Sequence, residues 1–198
     1  MLGAARMSPT GQTCYSIEQI SGNVHCIKEA DQWDRQPYMY LIVGDEKALL
    51  IDTGCGSGDL NKFIRSSGVI GDKQKLIVLN THNHPEQTGS NWSFSTTGKL
   101  GLSHNVESLC ASNADKKYTK LRDTQYDWEV KLFKITRWLA DEEIILLGDG
   151  RELRNIVQVI HAPGHTPDSI VLWFVSSLLL KISRFQHHGS KERQFSII

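Results

Sequence analysis

The run KLIVLN, Lys75 to Asn80, is the sequence feature that most constrains the fold. Its apolar residues follow one another without polar alternation, which predicts a strand buried on both faces of a sheet. A sheet covered on both sides needs further layers of structure. A chain of 198 residues is long enough to supply them within one domain.

Two further regions predict strands. Tyr38 to Asp52 contains two apolar runs that flank Gly44 to Lys47, a pattern typical of a β-hairpin. Residues 140–175 read as strand, turn, strand, loop and strand, and Ile156 to His161 is the central strand of this series. His161 is expected to be a core residue at that strand's end.

Helices are predicted at two places. Asp59 is expected to cap a short helix that buries the face carrying Leu60, Phe63 and Ile64, and Gly68 is expected to close it. Asn105 to Tyr118 is also predicted to be helical. Because strands alternate with helices early and form hairpins later, the pattern favours a mixed α/β sandwich over a doubly wound sheet.

Composition limits the classes of partner. Lys plus Arg and Asp plus Glu both number 22, so nothing in the net charge favours a nucleic acid or an anionic membrane surface. Four cysteines without a CxxC pair indicate reduced thiols in a cytoplasmic protein. The expected domain covers residues 13–182, between tails at 1–12 and 183–198.

The stretch THNHPEQTG, Thr81 to Gly89, follows the buried strand directly. Since residues i and i+2 of an extended segment point to one side, His82 and His84 can share a metal ion. His165 lies in a Pro/Gly turn after another strand and is the best candidate for a third ligand. Three imidazoles leave a fourth position for water, whose pKa falls to about 7 on zinc.

Three segments together resemble the metallo-β-lactamase superfamily: LLIDTG (49–54), NTHNHPEQTG (80–89) and HAPGHTPDSIVLW (161–173). The resemblance implies an αββα sandwich that hydrolyses esters, thioesters, amides or phosphodiesters with one or two zinc ions. By position, His82, His84 and His165 match the family's three-histidine metal site. Asp52 matches an aspartate beneath that site, where it would orient a ligand histidine or simply close a turn.

The chain departs from the family motif T-H-x-H-x-D-H-x-G at two positions. Glu86 and Gln87 stand where the motif has aspartate and histidine, the residues that supply most of a second metal site. The longer arm of Glu86 displaces its oxygens, and an amide is a poor zinc ligand. One zinc ion is therefore favoured over two, with Glu86 as base or water-positioning residue.

A second departure follows the strand SIVLWF. The family's later Gly-Asp metal ligand has no counterpart, and LLLKISRFQHHGS stands in its place. The chain is expected to be a truncated or alternatively spliced form whose second half is incomplete. The apolar residues of segment 156–175 would then have less structure to pack against. We therefore expect an exposed apolar patch, marginal stability, or association with a second copy or a sister chain.

Two functions remain open. The first is a zinc hydrolase of weakened activity, in which a zinc-bound hydroxide attacks an ester or thioester of a small molecule and His82, His84 and His165 hold the metal. The second is a catalytically inactive relative that acts by binding a partner. The segment TRWLADEEIILLGDG, residues 136–150, resembles the stretch before the third motif in acyl-CoA thioesterase-like members of the family.

Overall fold

The computed structural model describes residues 13–96, 101–121, 130–176 and 178–179. The tails predicted at residues 1–12 and 183–198 lie outside the described residues. The strands are β1 (Tyr15–Ser21), β2 (Val24–Glu29), β3 (Tyr38–Val43), β4 (Lys47–Ile51), β5 (Lys75–Leu79), β6 (Ser95–Thr96), β7 (Gly101–Leu102), β8 (Val106–Ser112), β9 (Arg137–Leu139), β10 (Ile144–Leu146), β11 (Ile156–His161), β12 (Ile170–Ser176) and β13 (Leu178–Leu179). The helices are α1 (Leu60–Ser66) and α2 (Pro85–Thr88), with short 3₁₀ turns at Asn91–Phe94, Tyr118–Lys120 and Leu153–Asn155.

Two main sheets form the body of the protein. The larger has seven strands in the order β1-β2-β3-β4-β5-β8-β9, and the smaller has four in the order β10-β11-β12-β13. Strands β4, β5, β8 and β9 run parallel, so their carboxyl ends meet at one edge of the larger sheet. The predicted mixed α/β sandwich is confirmed.

The central strands of the larger sheet are buried on both faces, as the run KLIVLN predicts. Leu49 of β4 and Ile77 of β5 face the smaller sheet and pack in one apolar cluster with its strands. Leu50 and Val78, one residue further along each strand, face the opposite side and pack against α1. Alternate residues of these strands therefore pack in two hydrophobic cores, one on each face of the larger sheet. The larger sheet lies between α1 on one side and the smaller sheet on the other.

Local signals placed α1 and the hairpin correctly. The Asp59 side chain accepts a hydrogen bond of 2.9 Å from the backbone N–H of Lys62 and caps the helix. Gly68 follows the helix with a φ of +74°, a left-handed conformation that suits glycine. Strands β3 and β4 pair antiparallel across the predicted turn.

The helix predicted at Asn105 to Tyr118 is wrong. The structure forms β8 there, and Leu109 and Cys110 pair with Val78 and Leu79 of β5. The spacing of the apolar residues suited a helix, but five consecutive residues of β8 are buried because the strand has a sheet neighbour on each side. Tertiary pairing overrides the local pattern.

The smaller sheet exposes apolar side chains on one face, but among the described side chains only Trp173 of these lies in the segment, residues 156–175, where the exposed patch is predicted. The sheet's inner face packs well against the larger sheet, so the expected loss of cover is wrong for residues such as Val157 and Leu172. On the outer face, Ile144, Leu146 and Trp173 are each more than two-fifths exposed. None of the helices in the described ranges is long and apolar enough to cross a membrane.

Candidate metal centre

The histidine loop begins where β5 ends, at the edge shared by the parallel strands. His84 has extended backbone angles (φ −103°, ψ 153°) and immediately precedes α2, whose first residue is Pro85. Proline suits this first helical position because its fixed φ is already helical and its missing N–H would have no partner there. The loop thus presents His82 and His84 before the chain turns back into α2.

His165 reaches the same point from the smaller sheet. It lies in the loop between β11 and β12, and the first residue of β12 ties the end of that loop to the histidine loop, because the backbone N–H of Ile170 donates to the carbonyl of Thr81 at 2.9 Å. The two sheets therefore deliver the three predicted ligands to one place.

The three imidazoles converge as a metal ion requires. His82 Nε2 lies 3.2 Å from His84 Nδ1, and His165 Nε2 lies 3.2 Å from that same atom. Four ligands arranged tetrahedrally at a Zn–N distance of about 2.0–2.1 Å would lie about 3.3 Å apart. The ring centroids are 4.7–4.9 Å apart, and the rings are inclined to one another by 75–90°. The donor set fits a tetrahedral zinc ion.

Asp52 acts on His82 through Thr81, a residue that the sequence analysis did not single out. The Asp52 carboxylate accepts hydrogen bonds from the Thr81 backbone N–H (2.7 Å) and hydroxyl (2.9 Å). The Thr81 oxygen lies 3.0 Å from His82 Nδ1. Because the hydroxyl proton goes to the carboxylate, Nδ1–H of His82 donates to Thr81, which leaves the Nε2 lone pair free for a metal.

Burial sets the protonation of both groups in the metal-free protein. The pKa of His82 is lowered to about 3, mainly by desolvation and then by repulsion from His84 and His165, so its imidazole is neutral. Burial also raises the pKa of Asp52 to about 7, against the hydrogen bonds from Thr81 and with a smaller contribution from Glu86. Asp52 adopts a φ of +63°, a left-handed angle that aspartate tolerates better than most residues.

A buried polar network holds α2 against the sheet. The carbonyl oxygen of Gln87 accepts hydrogen bonds from the Thr53 backbone N–H (2.9 Å), the Thr53 hydroxyl (3.0 Å) and the Asn80 amide (2.7 Å). Asn91 exchanges hydrogen bonds with Asn80 and accepts another from Thr53. The Thr53, Asn80 and Asn91 side chains are buried and hydrogen-bonded to one another or to the Gln87 carbonyl, so the network fixes the position of the loop. It joins residues distant in sequence, which no local motif indicated.

A buried carboxylate supports the loop that follows Asp52. Glu29, at the end of β2, accepts hydrogen bonds of 2.7 Å from the backbone N–H groups of Cys55 and Ser57. The same loop is joined to α2, because the N–H of Gly89 donates to the carbonyl of Gly54 at 2.8 Å. The β4 and β5 loops therefore form one rigid unit.

Glu86 and Gln87 lie at the site without joining the histidine cluster. Glu86 is 9% exposed, and its Oε2 atom has no hydrogen-bond partner among the described residues. The same holds for Oε1 of Gln87. Within the described part of the chain, the group of side chains able to hold a metal consists of the three histidines.

Asp168 and His161 occupy structural positions. The Asp168 carboxylate is buried and accepts hydrogen bonds from the hydroxyls of Thr166 (2.8 Å) and Thr119 (2.9 Å), so it braces the loop after His165. His161 ends β11, as predicted, but is only partly buried, and its Nε2 lies 3.2 Å from the Ser112 hydroxyl.

Curated proteins similar to this chain are thioesterases. Human "Acyl-coenzyme A thioesterase MBLAC2" is 29% identical over 154 residues, which cover 68% of this chain and 52% of the relative. The protein of the same name from Gallus gallus is 26% identical over 152 residues. The chain thus spans about half the length of the curated relatives it matches.

Solved structures and a family model agree on the fold. The di-zinc class B3 enzyme LRA-12, from an Alaskan soil metagenome, has a TM-score of 0.58 at 21% identity, covering 85% of this chain and 61% of its own. MIM-1 from Novosphingobium pentaromativorans has a TM-score of 0.57 at 18% identity, covering 80% and 55%. The family model "Metallo-beta-lactamase superfamily" matches residues 33–177. The chain belongs to the metallo-beta-lactamase superfamily.

Proposed function

We propose that this chain is a metal-dependent hydrolase domain that cleaves a small-molecule acyl thioester with one zinc ion. The observation that carries the proposal is the convergence of three imidazole nitrogens, two of them 3.2 Å from the third. The similarity to acyl-coenzyme A thioesterases supports a thioester as the substrate.

His82, His84 and His165 would hold the zinc ion, and Asp52 and Thr81 keep His82 in the tautomer that binding needs. When bound, zinc polarises the acyl carbonyl and lowers the pKa of water to about 7. In the reaction, the oxygen of water bonds to the acyl carbon and the C–S bond breaks. The sulfur leaves as a thiolate and receives a proton.

Glu86 handles the proton in this scheme. Glu86 lies two residues beyond His84, and its Oε2 atom has no hydrogen-bond partner among the described residues, which supports its assignment as the proton acceptor. The carboxylate accepts a proton as water attacks and returns it to the departing thiolate.

The test is hydrolysis of acyl thioesters by the zinc-loaded chain. Turnover should disappear on chelation, return with zinc, and be lost in His84→Ala. Glu86→Gln should retain zinc but lose about 100-fold or more in kcat. His104→Ala is the matched control, since His104 is exposed in the loop before β8. Turnover that is unchanged by chelation and by His84→Ala would refute the proposal.

An inactive metal-binding protein is the second candidate. It is favoured by Glu86 and Gln87, which stand where the family motif has aspartate and histidine. This candidate requires one zinc ion per chain and no turnover of any thioester in the same assay. The two proposals therefore share the metal and differ in one measured rate.

A further inference from the structure

A lysine-bearing turn, residues 113–121, joins the two loops that carry the histidines; we call it the lysine turn. The side-chain amide of Asn83, which lies between His82 and His84, donates hydrogen bonds to the carbonyls of Tyr118 (3.2 Å) and Leu121 (2.7 Å). On the other side, the Thr119 hydroxyl donates to Asp168, three residues beyond His165. The turn is therefore fixed to both halves of the metal centre.

The lysine turn carries two cations on one aromatic ring. The ammonium groups of Lys116 and Lys120 lie 5.4 Å and 5.5 Å from the ring centroid of Trp138. The ring attracts each cation but does not neutralise it, and the two cations repel one another. Both lysines are exposed, and no carboxylate in the described part of the chain forms an ion pair with either. An anion bound between them would relieve the repulsion.

The third lysine of the turn, Lys117, is also exposed, and the nearby acidic residue is already engaged. Asp115 accepts hydrogen bonds from the backbone N–H groups of Lys117 (3.1 Å) and Tyr118 (2.8 Å). Its carboxylate therefore shapes the turn, and three lysines stand against this one carboxylate in a chain whose net charge is zero.

The cations lie at a distance that a long substrate can span. Trp138 pairs with Ala111 of β8, and β8 is the neighbour of β5, so the strand that carries the ring lies two strand spacings, about 10 Å, from β5. Between them, Thr119 of the lysine turn and His82 line one gap that is too narrow for a water molecule. The lysine turn therefore packs directly beside the metal centre.

We propose that Lys116 and Lys120 bind the phosphate groups of a coenzyme A thioester whose acyl carbon lies at the histidines. The inference rests on the proposed function for its choice of substrate. Coenzyme A carries a diphosphate and a 3′-phosphate at the end of a flexible pantetheine arm, which ends in the thioester sulfur. The lysines hold the phosphates at the turn, and the arm spans the protein surface from there to the histidines.

Direct binding tests the phosphate site without requiring any turnover. Adenosine 3′,5′-bisphosphate is titrated into the full chain by calorimetry, and Lys116→Glu/Lys120→Glu is expected to bind at least about tenfold more weakly. Lys73→Glu/Lys75→Glu is the matched control, because these exposed lysines lie at the amino end of β5, away from the histidines. Absence of binding to the unaltered chain, or an equal loss in both variants, overturns the proposal.

Kinetics separates this inference from the proposed function. Lys116→Glu/Lys120→Glu should raise KM for an acyl-CoA about tenfold and leave kcat unchanged. Hydrolysis of the matching acyl-pantetheine, which lacks the phosphates, should be unaffected. An unchanged KM for acyl-CoA overturns the phosphate site while thioester hydrolysis stands. Loss of bisphosphate binding in a chain that hydrolyses neither thioester supports the phosphate site and refutes the hydrolase.

Discussion

Replacement of Thr81 by valine tests how Asp52 acts on the metal centre. The substitution keeps the shape of the side chain and removes the hydroxyl, which lies 2.9 Å from the Asp52 carboxylate and 3.0 Å from His82 Nδ1. Asp52 keeps its 2.7 Å hydrogen bond from the Thr81 backbone N–H. The carboxylate therefore stays in place, while His82 loses the acceptor that fixes its tautomer.

Two effects are expected, and they can be measured separately. The metal-free protein should lose about 1–2 kcal/mol of unfolding free energy, since a buried hydrogen bond disappears and a buried imidazole N–H is left without an acceptor. Zinc affinity should fall about 10- to 100-fold, the cost usually found when the partner of a ligand histidine is removed. Competition with a chromophoric chelator gives the affinity, and urea denaturation gives the stability.

Thr119→Val is the matched control for this experiment. Thr119 is also buried, and its hydroxyl also donates to a buried aspartate, Asp168, at 2.9 Å, but no hydrogen bond joins it to an imidazole in the described part of the chain. The control should lose similar stability and keep its zinc affinity. If Thr81→Val lost stability but bound zinc as tightly as the unaltered chain, the link from Asp52 through Thr81 to His82 would be refuted.

Two further predictions follow from the same loops. Gly89→Ala should lower the free energy of unfolding by about 1–3 kcal/mol and weaken zinc binding, because a Cβ there would overlap the backbone of Cys55. Gly71→Ala is the control in urea denaturation, because a Cβ at Gly71 meets no atom within 4 Å. Stability of the metal-free chain should also depend on pH through two opposed groups. The pKa of Asp52 rises from 3.8 to about 7 on folding, so acidification from pH 7 to pH 3.8 favours the folded state. The pKa of His82 falls from 6.5 to about 3 on folding, so acidification below pH 6.5 favours unfolding. Asp52→Asn removes the first contribution, and its metal-free form should lose stability between pH 7 and pH 4 more steeply than the unaltered chain. An equal or shallower loss would contradict the raised pKa of Asp52.

Local sequence signals predicted the elements that depend on neighbours in the chain. The cap at Asp59 and the turn at Gly44 to Lys47 were identified because capping and hairpin turns are properties of a few consecutive residues. The strand Lys75–Leu79 was identified because burial on both faces leaves an unbroken apolar run.

The remaining features depend on pairing between distant residues. The segment around Leu109 has apolar residues at helical spacing, yet it forms a strand because the parallel edge of β5 supplies a partner. The ligands His82, His84 and His165 were predicted from the spacing of the first two, the turn that holds the third and the family resemblance, and their convergence is a property of the two sheets together. Neither Thr81 nor the buried Asn80–Asn91 pair lies in a motif that indicates its role.

The metal environment itself provides the most direct test of the central claim, that three imidazoles from two sheets bind one ion. X-ray absorption at the zinc edge of the zinc-loaded chain should show three imidazole nitrogens at about 2.0–2.1 Å and about one zinc per chain. In His165→Ala the imidazole contribution should fall by one third or the ion should be lost. A spectrum without imidazole scattering, or one unchanged in His165→Ala, would contradict the account.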